Sequence, residues 1–283
     1  MEILVYIFLF FILFACNLTD DDSPQFPTQK DIDYELVWSD EFDVDGAPDS
    51  TNWNFEQGFV RNEELQWYQE ENAFVSNGFL VIEGRRDTFK NPMYEPLSND
   101  WRRNREMVYY TSSSLNTKLH HSWKYGRFEI KAKIIAKEGL WPAIWTLGKG
   151  YEWPQGGEID IMEFYSGKIL ANAAWAGSER WQAVWDGKQI PIEEFGENWD
   201  DEFHIWRMDW SNEFIKIYVD DVLLNTIALN TTLNQRGNIS NPFNETEHYI
   251  LLNLAIGSNG GNPDNTDFPS QYLIDYVRVY QEK

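Results

Sequence analysis

Three carboxylates fall within the segment Gly156-Gly157-Glu158-Ile159-Asp160-Ile161-Met162-Glu163-Phe164, each separated from the next by bulky apolar residues. Such alternation is the pattern of a strand with one acidic and one apolar face. In a regular strand Glu158 and Asp160 share a face, whereas Glu163, an odd number of residues from Glu158, points to the other. One extra residue in a β-bulge near Ile161 or Met162 returns Glu163 to the acidic face. Without it an ionisable side chain would enter the apolar layer at considerable cost. The spacing therefore predicts a bulged strand carrying three carboxylates on one surface.

Two carboxyl groups about 5–5.5 Å apart are what a retaining glycosidase uses, one as nucleophile and the other as acid and then base. Crowding three acids raises the pKa of at least one, which keeps a proton donor charged with its proton near neutral pH. Asp160, between the others, would hydrogen-bond the nucleophile and modulate both charges. The same residues also suit a solvated acidic face, ordinary on a chain with 46 Asp and Glu against 23 Lys and Arg. A divalent-cation site is a further reading, although three carboxylates without a nearby His make a poor transition-metal set. On the carboxylates alone these alternatives stay open.

The elements around the cluster are strands. Gly126–Lys133 alternates apolar and polar residues, Phe79–Glu83 is a short apolar run, and Phe203–Trp210 reads as a strand. The runs 214–219 and 222–227 form a hairpin closed by Asp220-Asp221, and 249–256 and 272–280 add two more strands. The acidic stretch 192–195 has room for one helical turn only. Many strands without long amphipathic helices predict an all-β fold, an antiparallel sandwich.

Several motifs agree in order with one family. Glu158-Ile159-Asp160-Ile161-Met162-Glu163 resembles the bulged ExDxxE signature of laminarinase-like members of glycoside hydrolase family 16. The blocks Gly139-Leu140-Trp141-Pro142-Ala143-Ile144-Trp145, Asn62-Glu63-Glu64-Leu65-Gln66-Trp67-Tyr68, Trp38-Ser39-Asp40-Glu41-Phe42 and Ile274-Asp275-Tyr276-Val277-Arg278-Val279-Tyr280 are similar to family blocks too. The resemblance runs from about Tyr34 to Tyr280 and implies a jelly roll with a sugar-binding cleft across its concave sheet. It implies an endo-acting retaining β-glycosidase with Glu158 as nucleophile, Asp160 as assisting acid and Glu163 as general acid/base. No cofactor is implied for catalysis. Trp141 and Trp145 resemble the family's cleft aromatics, and Asn62 and Arg86 its hydroxyl-binding residues. A structural calcium is implied on the convex face, held by Asp275 and main-chain oxygens near Glu41 and Gly78.

The chain departs from the family where laminarinases carry a His in the strand after the signature. Here the segment is Lys168-Ile169-Leu170-Ala171-Asn172-Ala173-Ala174-Trp175, and Trp175 with Asn172 is expected to occupy that part of the cleft. The long insert 87–105 is expected to form a cleft wall. Both differences leave room for substrates beyond β-1,3-glucan, such as the galactose-containing poly-N-acetyllactosamine chains of mucin O-glycans.

The acidic balance, a net charge of −23, disfavours nucleic acid as a partner. With 42% hydrophobic and 16% aromatic residues the chain has ample material for a core. Its single Cys, Cys16, excludes a disulfide framework. Cys16 follows the apolar run Ile3–Ala15, too short to span a bilayer comfortably and of signal-peptide length, and Leu13-Phe14-Ala15-Cys16 resembles a bacterial lipobox. The expected organisation is a lipoprotein signal over 1–16 ending at a lipidated Cys16, a flexible linker over 17–30, and a catalytic domain over 31–283. That places the protein at the bacterial cell surface or in the periplasm as an outer-membrane lipoprotein, a monomer touching membrane only through its lipid. A carbohydrate-binding surface lipoprotein without catalysis is the competing reading; it would keep the Trp platform but has no use for three acids at bulge spacing.

Overall fold

The structure, a computed structural model, describes residues 33–283; the signal segment, Cys16 and the 17–30 linker lie outside the described residues. Among the described residues there are seventeen strands, and no helical segment exceeds four residues. The strands form a ten-stranded and a seven-stranded sheet, in keeping with the expected all-β sandwich. All pairings between named strands are antiparallel except that of Gln66–Tyr68 with Met107–Ser112. The hairpin Phe214–Val219/Val222–Ala228 turns at Asp220 and Asp221 as expected. Both turn residues have positive φ, 46° and 66°, which matches the right-handed twist of the flanking strands. The stretch Ile192–Phe195 is a single 3₁₀ turn.

The seven-stranded sheet carries the site. Across it run, in order, Ala183–Pro191, Lys168–Ala176, Glu158–Tyr165, Leu140–Gly148, His248–Ile256, Ser114–Asn116 and Asn54–Phe55. One face packs on the ten-stranded sheet. Ile159, Ile161, Met162 and Phe164 of the Glu158–Tyr165 strand join Ile144, Ile169, Ala171, Ala173, Ile250, Leu252 and Leu254 in a continuous core with Phe128, Ile130, Trp206, Met208, Val277 and Val279 of the opposite sheet. Ile161 and Met162 are consecutive, yet both are wholly buried. Each contributes roughly 1.5–3 kcal/mol by leaving water.

The same two-residue period corrects one expectation. The strands Lys168–Ala176 and Ala183–Pro191 pair without any register shift. Trp175 and Asn172, three residues apart, must then face opposite ways. Trp175 packs in the sandwich core with Ile169, Ala171 and Ala173 and takes no part in the cleft, whereas Asn172 faces it. The 87–105 insert is not a cleft wall either. Its first residues extend the Phe79–Lys90 strand, Trp101–Asn104 forms a short helix, and Trp101 packs beside Phe59, Trp67 and Phe89. Arg105 closes the insert by donating to the carbonyls of Glu63 and Glu64, so the insert buttresses a cleft loop from behind.

Trp175→Ala should lower unfolding stability by about 3–5 kcal/mol, as expected for emptying a buried Trp site. Denaturant unfolding measures that cost. A variant with wild-type stability but weakened glycan binding would instead place Trp175 in the cleft.

Candidate active site

The interior strand Glu158–Tyr165 holds the acids. Against Leu140–Gly148 its register runs Glu158 to Leu147 and Asp160 to Trp145, then resumes with Met162 opposite Ile144 and Glu163 opposite Ala143. Against Lys168–Ala176 Asp160 lies opposite Asn172 and Glu163 opposite Leu170, three residues facing two. This is the bulge that the spacing required, and it sits at Ile161–Met162. Both apolar side chains turn inward, so Glu158, Asp160, Glu163 and Tyr165 emerge on one face.

That face is the floor of a cleft of about 830 Å³. Trp141, Ala143, Trp145 and Leu147, at every second position of the next strand, line one side. Leu170 and Asn172 line the other, followed by Trp185, Gly187 and Gln189 of the edge strand. Arg61, Asn62, Glu64, Trp153, Asn253 and Asn259 complete it.

Each acid has distinct partners. Glu158 accepts a 2.5 Å hydrogen bond from the Trp153 indole N–H at Oε2. Glu163 accepts from the Trp141 indole at Oε1, 2.9 Å, and from the Asn172 Nδ2 at Oε2, 3.1 Å. Asp160, 1% exposed, hydrogen-bonds Glu158 and receives a longer contact of 3.4 Å from Asn172 Nδ2. Burial pushes the Glu163 carboxyl up to about 7, and the neighbouring Glu158 charge adds to the rise. Asp160 is raised well above the usual carboxylate range by burial, then by the charges of Glu163 and Glu158 and by its bond to Glu158. Glu158 is raised by burial too, but the Trp153 and Asp160 bonds and the Arg61 charge oppose this. Asp160 is thus an acid whose ionisation the site strongly disfavours, and it bonds Glu158. The arrangement separates three acids into a carboxylate held by donors, a buried bridge and a donor poised near neutrality.

Beyond the acids, Trp145 is fixed by donation of its indole N–H to Asn253 Oδ1, 2.7 Å, and the Arg61 guanidinium lies 5.0 Å over its ring. Arg61 is ion-paired with Glu56, which also accepts from the Ser114 hydroxyl. Glu64 accepts from Gln66 Nε2 at 2.6 Å and from Asn62 Nδ2 at 3.3 Å. Burial raises the Glu64 carboxyl. The loop bearing these groups is stapled to the sheet by Leu65 N–H to the Ile256 carbonyl and Ile256 N–H to Gln66 Oε1.

Of the expected site residues, Glu158, Asp160, Glu163, Asn62, Trp141, Trp145 and Asn172 are brought together. Arg86 is not. Its guanidinium donates to the Tyr110 hydroxyl and to the carbonyls of Pro263 and Asp264, and it lies over the rings of Tyr110 and Phe268. These contacts use three of its five N–H donors in pinning the 257–271 loop. Trp153, Trp185, Gly187, Gln189 and Arg61 line the cleft without having been singled out beforehand. For Trp185, Gly187 and Gln189 the signal was their common parity on one strand. Trp153 lies in a loop, where no periodicity points to its target.

The chain matches the model of glycosyl hydrolases family 16 over residues 61–278, and it belongs to that family. It is therefore a glycoside hydrolase, an endo-acting β-glycosidase. It is 33% identical to a beta-glucanase of Rhodothermus marinus over 298 aligned residues, covering 97% of this chain and 93% of the relative. A structure from work on endo-acting O-glycanases, which prominent members of the human gut microbiota express to initiate mucin breakdown, superposes with a TM-score of 0.79 at 35% identity. That match covers 88% of this chain and 91% of the other. The laminarinase catalytic domain of Thermotoga maritima gives 0.73 at 33% identity, with 89% and 99% covered.

Two carboxylates near the expected calcium position are paired with cations. Asp275 is ion-paired with Lys131 at 2.7 Å, and Glu41 is bound in two places by the Arg278 guanidinium, at 3.0 and 2.7 Å. Gly78 occupies a positive-φ turn of 79° before the Phe79–Lys90 strand. The ion pairs engage side chains; the other expected calcium donors, main-chain oxygens near Glu41 and Gly78, are not part of them. Among the described residues no group of three or more His, Cys, Asp or Glu side chains is suited to a metal ion.

Because the folded chain raises Glu163, its ionisation opposes folding. This penalty is absent below the ordinary Glu value of 4.5, grows as pH rises toward about 7, and is constant above that. Glu163→Gln should therefore stabilise the protein at pH 8, by on the order of 2 kcal/mol, and much less at pH 4.5. Thermal unfolding of both proteins across this range measures the difference; a pH-independent difference would contradict the assignment.

Proposed function

We propose that the chain hydrolyses internal β-1,3 or β-1,4 linkages of a glycan by retaining double displacement. The observation that carries this reading is the Ile161–Met162 bulge, which sets Glu158, Asp160 and Glu163 on one floor of a cleft open to a polymer. A Glu158 oxygen attacks the anomeric carbon while the glycosidic C–O bond breaks, and the Glu163 proton passes to the leaving oxygen. Water then attacks the glycosyl–Glu158 ester. The Glu163 carboxylate takes one of its protons, and Glu158 departs as carboxylate. Asp160, carrying a proton against Glu158, stabilises that carboxylate before attack and after release.

Trp141 and Trp145 supply flat faces for the C–H-rich sides of sugar rings, and Asn62 supplies polar contact to hydroxyls. Trp185, half exposed at the cleft edge, adds a third face. Two features favour a galactose-containing chain such as poly-N-acetyllactosamine over laminarin. One is that the strand Lys168–Ala176, which puts Asn172 in the cleft, has no His where laminarinases carry one. The other is the higher TM-score to the mucin O-glycanase structure, 0.79 against 0.73 for the laminarinase. The site needs no cofactor in this mechanism. A structural calcium held by Asp275 and by main-chain oxygens near Glu41 and Gly78 would share the Asp275 carboxylate with Lys131. Export and lipidation at Cys16, giving a monomeric surface enzyme that meets its polymer outside the cell, accord with such a substrate.

Assays of reducing-end release from laminarin, lichenan, agar-type galactans and mucin O-glycans should give oligosaccharides of intermediate length from at least one of them. Glu158→Gln should reduce turnover at least 1,000-fold, and the protein should still bind the glycan. A Glu158→Gln protein that retained wild-type turnover would overturn the mechanism. The alkaline limb of kcat/KM should report Glu163 with an apparent pKa of about 7, since the first step needs its proton. A rate still rising through pH 9 would remove Glu163 from the role of acid.

A further inference from the structure

Asn172 lies opposite Gly187 in the pairing of Lys168–Ala176 with the edge strand Ala183–Pro191. A Cβ at position 187 would fall 2.3 Å from Asn172 Oδ1 and 3.1 Å from its Cγ. Gly187 is not among the positive-φ residues, so its backbone conformation is open to any side chain. What requires glycine there is the neighbouring carboxamide. That carboxamide is 8% exposed, with its oxygen toward Gly187 and its nitrogen toward Glu163 and Asp160. The reverse orientation would set a carbonyl oxygen against two acids, so their presence fixes the amide.

We propose that Gly187 and Asn172 form a positioning pair for the reaction, the vacant side-chain space at 187 seating the carboxamide that orients Glu163 for proton transfer. The proposal rests on the double-displacement reading and extends it to the edge strand, which supplies none of the three acids. Asn172 then acts through Glu163 and not through a sugar hydroxyl. Its N–H donation favours the ionised form of Glu163 and opposes the rise that burial and Glu158 impose. The other groups facing Glu163 are Glu158, Asp160 and Tyr165 from its own strand and the Trp141 indole from the next. Arg61 and Glu64 face the same cleft from the loop. Asp186 and Lys188, on either side of Gly187, alternate to the opposite face, where Asp186 meets Asn225.

Adding a methyl at 187 rotates the carboxamide away, because Asn172 is otherwise walled in. Gly187→Ala should shift the alkaline limb of kcat/KM on mucin O-glycan or laminarin, whichever the wild type cleaves faster, upward by roughly half a unit to one unit. It should lower kcat about tenfold with little change in KM. Asn172→Ala should do the same, and the double variant should match Asn172→Ala alone, because both changes remove one interaction. The carboxyl ¹³C titration of Glu163, read without substrate, should move in parallel. A Gly187→Ala protein with the wild-type titration, or a double variant whose shifts simply add, would overturn the pairing. Should Gly187→Ala fail to fold, a wild-type titration in Asn172→Ala would overturn it equally. Because the ¹³C readout needs no turnover, loss of this inference is distinguishable from loss of the hydrolytic reading, which the Glu158→Gln assay decides.

Discussion

A strand has two faces, and the site depends on how this chain evades that parity between Asp160 and Glu163. Spending two consecutive residues, Ile161 and Met162, on the inner face lets the sandwich gain two wholly buried side chains at one level of the sheet. The same step carries Glu163 to the outer face. Core packing and acid placement are thus a single geometric event. A change that restored regular pairing would bury a carboxylate and expose an apolar side chain together, a double penalty that protects the bulge from drift.

The acids so assembled are crowded into a place that resists their charge. The chain answers with neutral N–H donors more than with cations. Trp153 and Trp141 give indole N–H groups to Glu158 and Glu163, and Asn172 gives an amide. Arg61 acts only at a distance, its own charge engaged by Glu56. Neutral donors stabilise a carboxylate without pinning it in an ion pair, so the acids remain free to exchange protons and to react. The convex side shows the opposite solution. There Glu41 and Asp275 are each paired with a cation.

Much of this was legible in the sequence. Odd spacing between acids, with apolar residues at every other place, forced a bulge and hence the shared face of Glu158, Asp160 and Glu163. The family resemblance also located Trp141 and Trp145. What escaped was governed by parity counted from a neighbour or by loop geometry. Trp175 looked like a cleft residue beside Asn172, but their odd separation on an unbulged strand sends it into the core. Arg86 resembled one of the family's hydroxyl-binding residues, yet the 263–264 carbonyls claim it across a long sequence separation. Trp153 reaches Glu158 from a loop, and no local pattern encodes where a loop side chain returns.

The strand Ala183–Pro191 is the last of its sheet and, among the described residues, has a ladder on one side only. The two flanks of the cleft therefore differ mechanically. The Trp141–Trp145 flank is clamped between neighbours on both sides, whereas the Trp185–Gln189 flank is tethered along a single edge. Local opening costs least where backbone pairing is one-sided. A polymer without a free end near the catalytic acids must be admitted sideways, along the margin that this one-sided strand forms. Variation in glycan preference should gather on that margin, where side chains change without disturbing the central sheet.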